Sequence, residues 1–160
     1  MKNHFLRSAT LSALLLSPLL FSATKAQADG VTDNGFGVGF ILGAPSGLSA
    51  SLPMGPGNAV NFLLGYDLSR DANITLLGDY VWRRSDLIPV EIGKVSLYYG
   101  PGGRVMLADQ TEAGIRAVLG IDYIFQDSPI QALFEVCPGV NIVPNTRTSV
   151  TGGIGLRYFF

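Results

Sequence analysis

The residue types on which hydrolytic catalysis most often depends, a histidine base and a cysteine nucleophile, occur once each in the sequence, as His4 and Cys137. In such sites the histidine accepts the proton of a serine or cysteine nucleophile. His4 lies in an N-terminal segment that we expect to be removed, which leaves the remaining chain without a histidine. Without that base, Cys137 is better interpreted as a small packed side chain, as free cysteines usually are. The sequence therefore predicts no catalytic site.

Other kinds of chemical site are equally hard to place in this chain. The sequence contains no phosphate-binding loop, no cluster with the spacing of metal ligands, and no basic patch with interleaved aromatic residues. These are the patterns that nucleotide, metal and nucleic-acid sites require. We therefore expect no cofactor, no metal ion and no nucleic-acid partner.

The charged residues follow a pattern of a different kind. Where apolar residues alternate along the chain, charged residues fall on the opposite face, with four acids, four arginines and no lysine. These residues are Asp67, Asp79, Arg83, Arg104, Arg116, Asp122, Glu135 and Arg157. An unpaired buried charge is costly, and the planar guanidinium suits close pairing with carboxylates. The pattern predicts ion pairs in a narrow interior, whereas a solvated polar face would favour lysine, glutamate, asparagine and glutamine without balanced sign.

Three of the arginines allow a sharper expectation. We expect Arg104, Arg116 and Arg157 each to pair with a carboxylate of the same face. The candidate partners are Asp79, Asp122 and Glu135.

The N-terminus has the three parts of a secretory signal peptide. Lys2 and Arg7 precede an apolar stretch over 11–21, and Ala26-Gln27-Ala28 forms a small-x-small cleavage site. The apolar stretch is too short to cross about 30 Å of hydrocarbon. We expect residues 1–28 to be cleaved as a signal peptide and residues 29–160 to form one domain.

The composition is unusual for a water-soluble domain. Charged residues make up 14% of the sequence and hydrophobic residues 48%, against about 25% charged residues in average proteins. No stretch after residue 28 approaches the ~18 consecutive apolar residues of a membrane-spanning helix. A closed β-barrel is the other structure that satisfies every backbone polar group in lipid. Export, apolar content and the absence of a spanning helix together predict a transmembrane β-barrel.

Short segments of period two, separated by turn residues, predict the strands of this barrel. They are expected near 35–43, 46–53, 58–67, 73–83, 94–107, 112–125, 130–140 and 149–160. Eight strands predict an all-β, antiparallel, up-and-down barrel of the outer-membrane type, with an interior that side chains fill. Pro101 and Pro138 fall inside two strands and are interpreted as bulges or kinks, because proline cannot donate a ladder hydrogen bond.

Aromatic residues collect at one end of the predicted barrel. If the N-terminus starts in the periplasm, the fourth, sixth and eighth strands end there, near Trp82, Tyr123, Phe125 and Tyr158. These four residues are expected at the membrane interface, where such barrels carry a girdle of aromatics. The long connection over 84–93 would also lie on this side, although the long loops of such barrels usually face the cell exterior.

The C-terminal segment GGIGLRYFF resembles the signature of outer-membrane barrels, in which alternating apolar residues end on an aromatic. By that resemblance, Phe160 belongs to an assembly signal that the barrel assembly machinery recognises. Two further blocks, GFGVGFILGAPSGLSASL at 35–52 and DLIPVEIGKVSLYYGPGGRV at 86–105, resemble a family of small Gram-negative outer-membrane proteins related to the OmpA and OmpX barrels. The resemblance implies a fold and a membrane location, and no defined activity.

The sequence thus favours an outer-membrane barrel with a structural or interaction role and no catalytic site. Its expected partners are outer-membrane lipid and, during biogenesis, the barrel assembly machinery. Two alternatives remain open: a narrow porin-like channel, and a periplasmic lipocalin-like carrier of an apolar ligand, which eight closed strands would serve equally well. The carrier requires apolar residues inside and polar residues outside, so the face that points inward distinguishes it from the membrane barrel.

Overall fold

A computed structural model describes residues 35–67, 73–85, 87–108 and 110–160. These residues form eight strands: β1 (Gly37–Ala44), β2 (Gly47–Gly55), β3 (Asn58–Asp67), β4 (Asn73–Arg84), β5 (Lys94–Leu107), β6 (Glu112–Ile124), β7 (Ile130–Val143) and β8 (Arg147–Phe159). The predicted signal peptide at 1–28 lies outside the described residues.

The strands form one closed, antiparallel barrel in sequence order. Each strand pairs with the next, and β1 closes the sheet against β8 through a continuous register from Gly37 opposite Phe159 to Ala44 opposite Gly152. Closure gives every strand two neighbours, so no sheet edge is left with unpaired backbone groups. The predicted eight-stranded all-β barrel is confirmed.

Period-two alternation separates two faces with opposite character. Leu76 and Leu77 are adjacent in β4, yet Leu76 is 46% exposed on the outer wall and Leu77 is 3% exposed inside. The interior holds two apolar clusters, one of Ala59, Val81, Tyr98, Val118 and Cys137 and one of Ile41, Leu63, Leu77 and Leu133. Large apolar side chains from every strand cover the outside.

The end of β7 and the start of β8 differ from the prediction. The turn residues Asn141, Pro144 and Asn145 predict a loop over 141–148, but β7 continues to Val143 and β8 begins at Arg147. Asn141 pairs with Arg147 across the two strands, and its side chain is buried. Polar residues indicate a loop in a protein with an apolar core, whereas the interior of this barrel accommodates them within strands.

The two prolines, interpreted as bulges or kinks, shift no register, but each interrupts the pairing with one neighbouring strand: β5 with β4 at Pro101 and β7 with β6 at Pro138. With the other neighbouring strand the pairing is complete. Pro101 lies opposite Ala117 and Pro138 opposite Val150, in registers that continue unchanged on both sides. The register shifts occur elsewhere, between Pro53 and Gly55 in β2 and opposite Ala113 and Gly114, near the end of β7. The prolines therefore break the pairing locally without a bulge, and the two register shifts lie close to strand ends.

The connections differ in length at the two ends of the barrel. The longest described connection, between β4 and β5, lies at the end that also holds Gly37 and Phe159, as the sequence suggested. At the opposite end, β1 and β2 are joined by two residues and β7 and β8 by three. The described residues include no helix that is long and apolar enough to cross a membrane.

Candidate functional site: a charged interior and an apolar outer wall

The best-formed ion pair in the interior joins β4 to β6. Arg116 donates two hydrogen bonds to Asp79, from Nε to Oδ1 at 2.8 Å and from Nη2 to Oδ2 at 2.5 Å. Both side chains are buried. This two-point contact is the geometry that matches a guanidinium fork to a carboxylate.

A second ion pair also joins β4 to β6. Arg83 Nε lies 3.1 Å from Asp122 Oδ2, with both side chains buried. The contact lacks hydrogen-bond geometry, since neither Arg83 Nε nor either carboxylate oxygen of Asp122 has a hydrogen-bond partner among the described residues. The Arg83–Asp122 contact is therefore electrostatic, whereas the Arg116–Asp79 pair also has two hydrogen bonds that fix the relative orientation of its side chains.

Arg157 and Glu135 are held by neutral partners. Arg157 donates from Nε to Ser49 Oγ at 2.8 Å and from Nη1 to Gln131 Oε1 at 3.4 Å. Glu135 Oε2 accepts a hydrogen bond from the Tyr98 hydroxyl at 3.1 Å. Both charged residues are buried.

Three of these contacts each depend on a different glycine. In each case the two partners belong to strands that are not adjacent. The strand between them contributes a glycine that lies directly opposite both partners, so that the three residues form a row across the sheet. The three rows are Asp79–Gly102–Arg116, Tyr98–Gly120–Glu135 and Ser49–Gly39–Arg157. A Cβ at Gly102 would collide with Asp79 Oδ1, and one at Gly120 with the Tyr98 ring. The absence of a side chain at these positions lets an interior side chain cross the intervening strand.

The barrel end opposite Gly37 and Phe159 carries a further polar cluster. Glu112 accepts hydrogen bonds from Asn141 Nδ2 at 2.8 Å and from Arg147 Nη2 at 3.4 Å. The Arg147 side chain is 72% exposed, so this contact is solvated. The predicted charged face does not contain these three residues, since Asn141 and Arg147 lie outside the predicted strands.

The structure places the eight charged residues selected from the sequence as follows. Six are buried in the interior: Asp79, Arg83, Arg116, Asp122, Glu135 and Arg157. Arg104 is half-buried and its Nη2 lies 3.2 Å from Met106 Sδ. Asp67 ends β3, and its side chain lies outside the described residues.

The pairing differs in part from the prediction. Arg116 binds Asp79 as expected, but the partner of Asp122 is Arg83. Among the described residues, neither Arg104 nor Arg157 has a carboxylate within ion-pair distance. The reason is geometric. Strand register and the positions of interior glycines determine which carboxylate each arginine can reach, and an equal number of positive and negative charges on the inner face does not.

Tyr98, Gln131 and Ser49 complete the interior network but were not selected from the sequence. The two-residue period could have found them. Tyr98 shares its face with Ser96 in β5, and Gln131 shares its face with Glu135 in β7. A search limited to charged residues overlooks the neutral partners that satisfy them.

The outer wall carries pairs of aromatic residues at the end of the barrel where Gly37 and Phe159 lie. Trp82 lies 5.2 Å from Tyr80 and 5.9 Å from Tyr99 between ring centroids. Tyr123 with Phe125, and Tyr158 with Phe160, are each 4.9 Å apart. Edge-on and tilted contacts at these distances are favourable for aromatic pairs. All four predicted interface aromatics therefore lie together at one end of the outer wall.

The fold is similar to that of a solved structure, the N-terminal β-barrel domain of OprF from Pseudomonas aeruginosa. The TM-score is 0.57 and the sequence identity 11%, over 79% of this chain and 96% of that chain. No protein-family model matches the chain, and no curated protein matches it. At this level of identity the likeness shows the fold, an eight-stranded barrel of the kind found in outer-membrane proteins.

The interior contacts connect buried side chains of non-adjacent strands to one another. Among the described residues, no group of three or more histidine, cysteine or acidic side chains is arranged to hold a metal ion. Cys137 is buried in an apolar cluster. The arrangement stabilises and fills the barrel.

Proposed function

We propose that the protein is an integral outer-membrane β-barrel with a structural or interaction role and no catalytic site. The observation that carries this proposal is the distribution of side chains across a closed barrel wall. Large apolar residues face outward on all eight strands, while buried charges face inward. In water, an apolar surface of this extent would favour aggregation, whereas lipid solvates it.

The same distribution argues against a lipocalin-like carrier. A carrier of an apolar ligand needs an apolar cavity and a polar exterior. Here Phe40, Leu48 and Ile154 are among the exposed residues, while Arg116 and Asp79 are buried. The orientation of the wall is the reverse of what a carrier requires.

The interior also argues against an open channel. Two apolar clusters and two ion pairs are buried in the barrel interior. Eight-stranded barrels are just wide enough for side chains to fill, and aqueous channels are found in barrels of about sixteen strands. A narrow porin-like conductance is therefore the less favoured alternative.

Three expectations from the sequence complete the proposal. Residues 1–28 direct export as a cleaved signal peptide, and the OmpA- and OmpX-like sequence blocks support an outer-membrane destination. Phe160 serves as the assembly signal for the barrel assembly machinery. Outer-membrane lipid is the permanent partner of the folded chain.

Membrane fractionation followed by gel electrophoresis tests the proposal. The protein should remain with the outer membrane after carbonate extraction, and its migration should change when the sample is boiled, because closed barrels resist unfolding by detergent alone. Release with the soluble periplasmic fraction would contradict membrane insertion and favour the carrier.

A further inference from the structure

The connection between β4 and β5, over residues 85–93, is attached to different sides of the barrel wall at its two ends. Ser85 Oγ lies 3.0 Å from Ser96 Oγ, and Ser96 is fully buried in the interior. At the other end, Tyr123 donates a hydrogen bond from its hydroxyl to the carbonyl oxygen of Ile92 at 3.1 Å. Tyr123 belongs to the outward face of β6. The connection therefore begins on the inner side of the wall and ends on the outer side.

Gly93 fixes the outer end of this connection. Its φ of 72° lies in the left-handed region that favours glycine. A Cβ at this position would also collide with the Tyr123 ring and with the carbonyl oxygen of Ile124. The chain thus turns tightly against the outer wall before it enters β5.

The connection exposes apolar side chains that the barrel itself does not cover. Leu87, Val90 and Ile92 are 54%, 42% and 67% exposed. Ile92 lies beside Tyr123 through the hydrogen bond to its carbonyl oxygen. The side-chain ring of Tyr123 in turn contacts the ring of Phe125 on the outer wall. The apolar surface of the connection is therefore continuous with the apolar outer wall.

We propose that residues 87–92 form an interfacial anchor, which inserts Leu87, Val90 and Ile92 into the boundary between headgroups and acyl chains of the adjacent phospholipid leaflet. The inference rests on the proposed membrane insertion of the barrel. Lipid is the occupant because the outer end of the connection is fixed to the outward-facing Tyr123, at the level where aromatic side chains occupy the membrane interface. A connection that served a soluble partner would instead be expected to turn away from the wall.

The chain offers a direct optical test because Trp82 is its only tryptophan. In a Trp82→Phe background, single tryptophans are introduced as Ile92→Trp, as Asp127→Trp in the connection between β6 and β7, and as Leu119→Trp on the outer wall. Asp127 is exposed at the same end of the barrel, and Leu119 is exposed near the middle of β6. Each variant is reconstituted in phosphatidylcholine vesicles whose acyl chains carry bromine at shallow or deep positions, after its heat-modifiable migration shows that it is folded.

The anchor predicts blue-shifted emission from the Ile92→Trp variant and loss of its fluorescence with shallow bromine. Emission from the Asp127→Trp variant should remain red-shifted and unquenched. Equal behaviour of these two variants, while Leu119→Trp is quenched by deep bromine, would overturn the anchor and leave the barrel proposal intact. If folded Leu119→Trp is not quenched, membrane insertion itself is wrong, and the anchor is wrong with it.

Discussion

Gly102 and Gly103 are neighbours in β5 that face opposite sides of the barrel wall. At Gly102, an added methyl group would collide with the carboxylate of Asp79 that binds Arg116. At Gly103, the nearest atom would lie 3.9 Å away, which is an ordinary contact. Two identical substitutions one residue apart therefore separate crowding of the interior from any general effect of alanine on the strand.

We expect Gly102→Ala to lower the free energy of unfolding by about 1–3 kcal/mol, the usual cost of forcing extra atoms into a packed interior. Gly103→Ala should leave it nearly unchanged. Urea unfolding of the two variants in detergent micelles provides the measurement. Equal midpoints for Gly102→Ala and the parent would mean that Asp79 reaches Arg116 by another path.

The two kinds of charged contact should also differ in strength. Asp79→Ala leaves Arg116 buried without its carboxylate, which we expect to cost about 3–5 kcal/mol. Arg147→Ala removes the exposed partner of Glu112, an arginine whose side chain is 72% exposed, so the loss of this ion pair should stay below about 1 kcal/mol. Equilibrium unfolding of both variants under the same conditions checks the ratio. If the two losses are similar, solvent reaches Asp79 and Arg116 in the folded barrel.

At this scale, the sequence predicted the composition of the interior better than its contacts. The two-residue period assigned Arg157 to the inner face, but not its contacts with Ser49 and Gln131. Ser49 lies more than a hundred residues away in sequence and reaches Arg157 across Gly39, because β1 closes the barrel against β8. Such contacts depend on closure and register, which no local pattern specifies.

At the scale of the strand, β8 shows what the period could and could not predict. Alternation placed Tyr158 and Phe160 outside, where they form an aromatic pair, and the structure agrees. It also placed Phe159 on the inner face, where the ring lies against Gly37 and is almost fully buried. The start of β8 was misplaced because polar Arg147 and Thr148 indicated a loop, although they pair with Asn141 and Val140.

Deleting Phe160 should separate the stability of β8 from its recognition during assembly. The Phe160 amide donates to the carbonyl oxygen of Phe36 at 3.0 Å, and its ring is half exposed outward. Loss of that apolar area should cost about 1–2 kcal/mol and loss of the hydrogen bond about 1 kcal/mol more, so the purified variant should still refold in detergent. In cells, we expect a much larger loss of outer-membrane barrel, measured by fractionation and heat-modifiable migration.

Phe160→Leu supplies the matched control, since it keeps the backbone hydrogen bond and most of the apolar area. If the deletion variant loses the same fraction of folded barrel in cells and in detergent, Phe160 contributes to stability alone. No loss in either setting would show that the terminal aromatic is incidental to assembly.

At the scale of the whole molecule, closure decides what the barrel can contain. Eight strands joined without an edge leave an interior that side chains fill, and both apolar clusters and ion pairs lie there. The number of strands was predictable from the spacing of turn residues. The two apolar clusters inside the barrel were harder to predict, because on the inner face of β4 Leu77 and Val81 alternate with Asp79 and Arg83.

Cys137 reports on whether this interior is open to water. It is the only cysteine of the chain, is 1% exposed, and packs with Val81, Tyr98 and Val118. Reaction of a thiol requires access as well as ionisation. We expect a water-soluble maleimide to leave the folded barrel in lipid vesicles unlabelled and to modify Cys137 once the protein is unfolded in urea, as mass spectrometry would show.

In a Cys137→Ala background, Asp127→Cys at the exposed end of the barrel should react at once in the folded state. If Cys137 in the folded barrel reacts as fast as that control, water fills the interior, and a narrow channel becomes the better account of the protein.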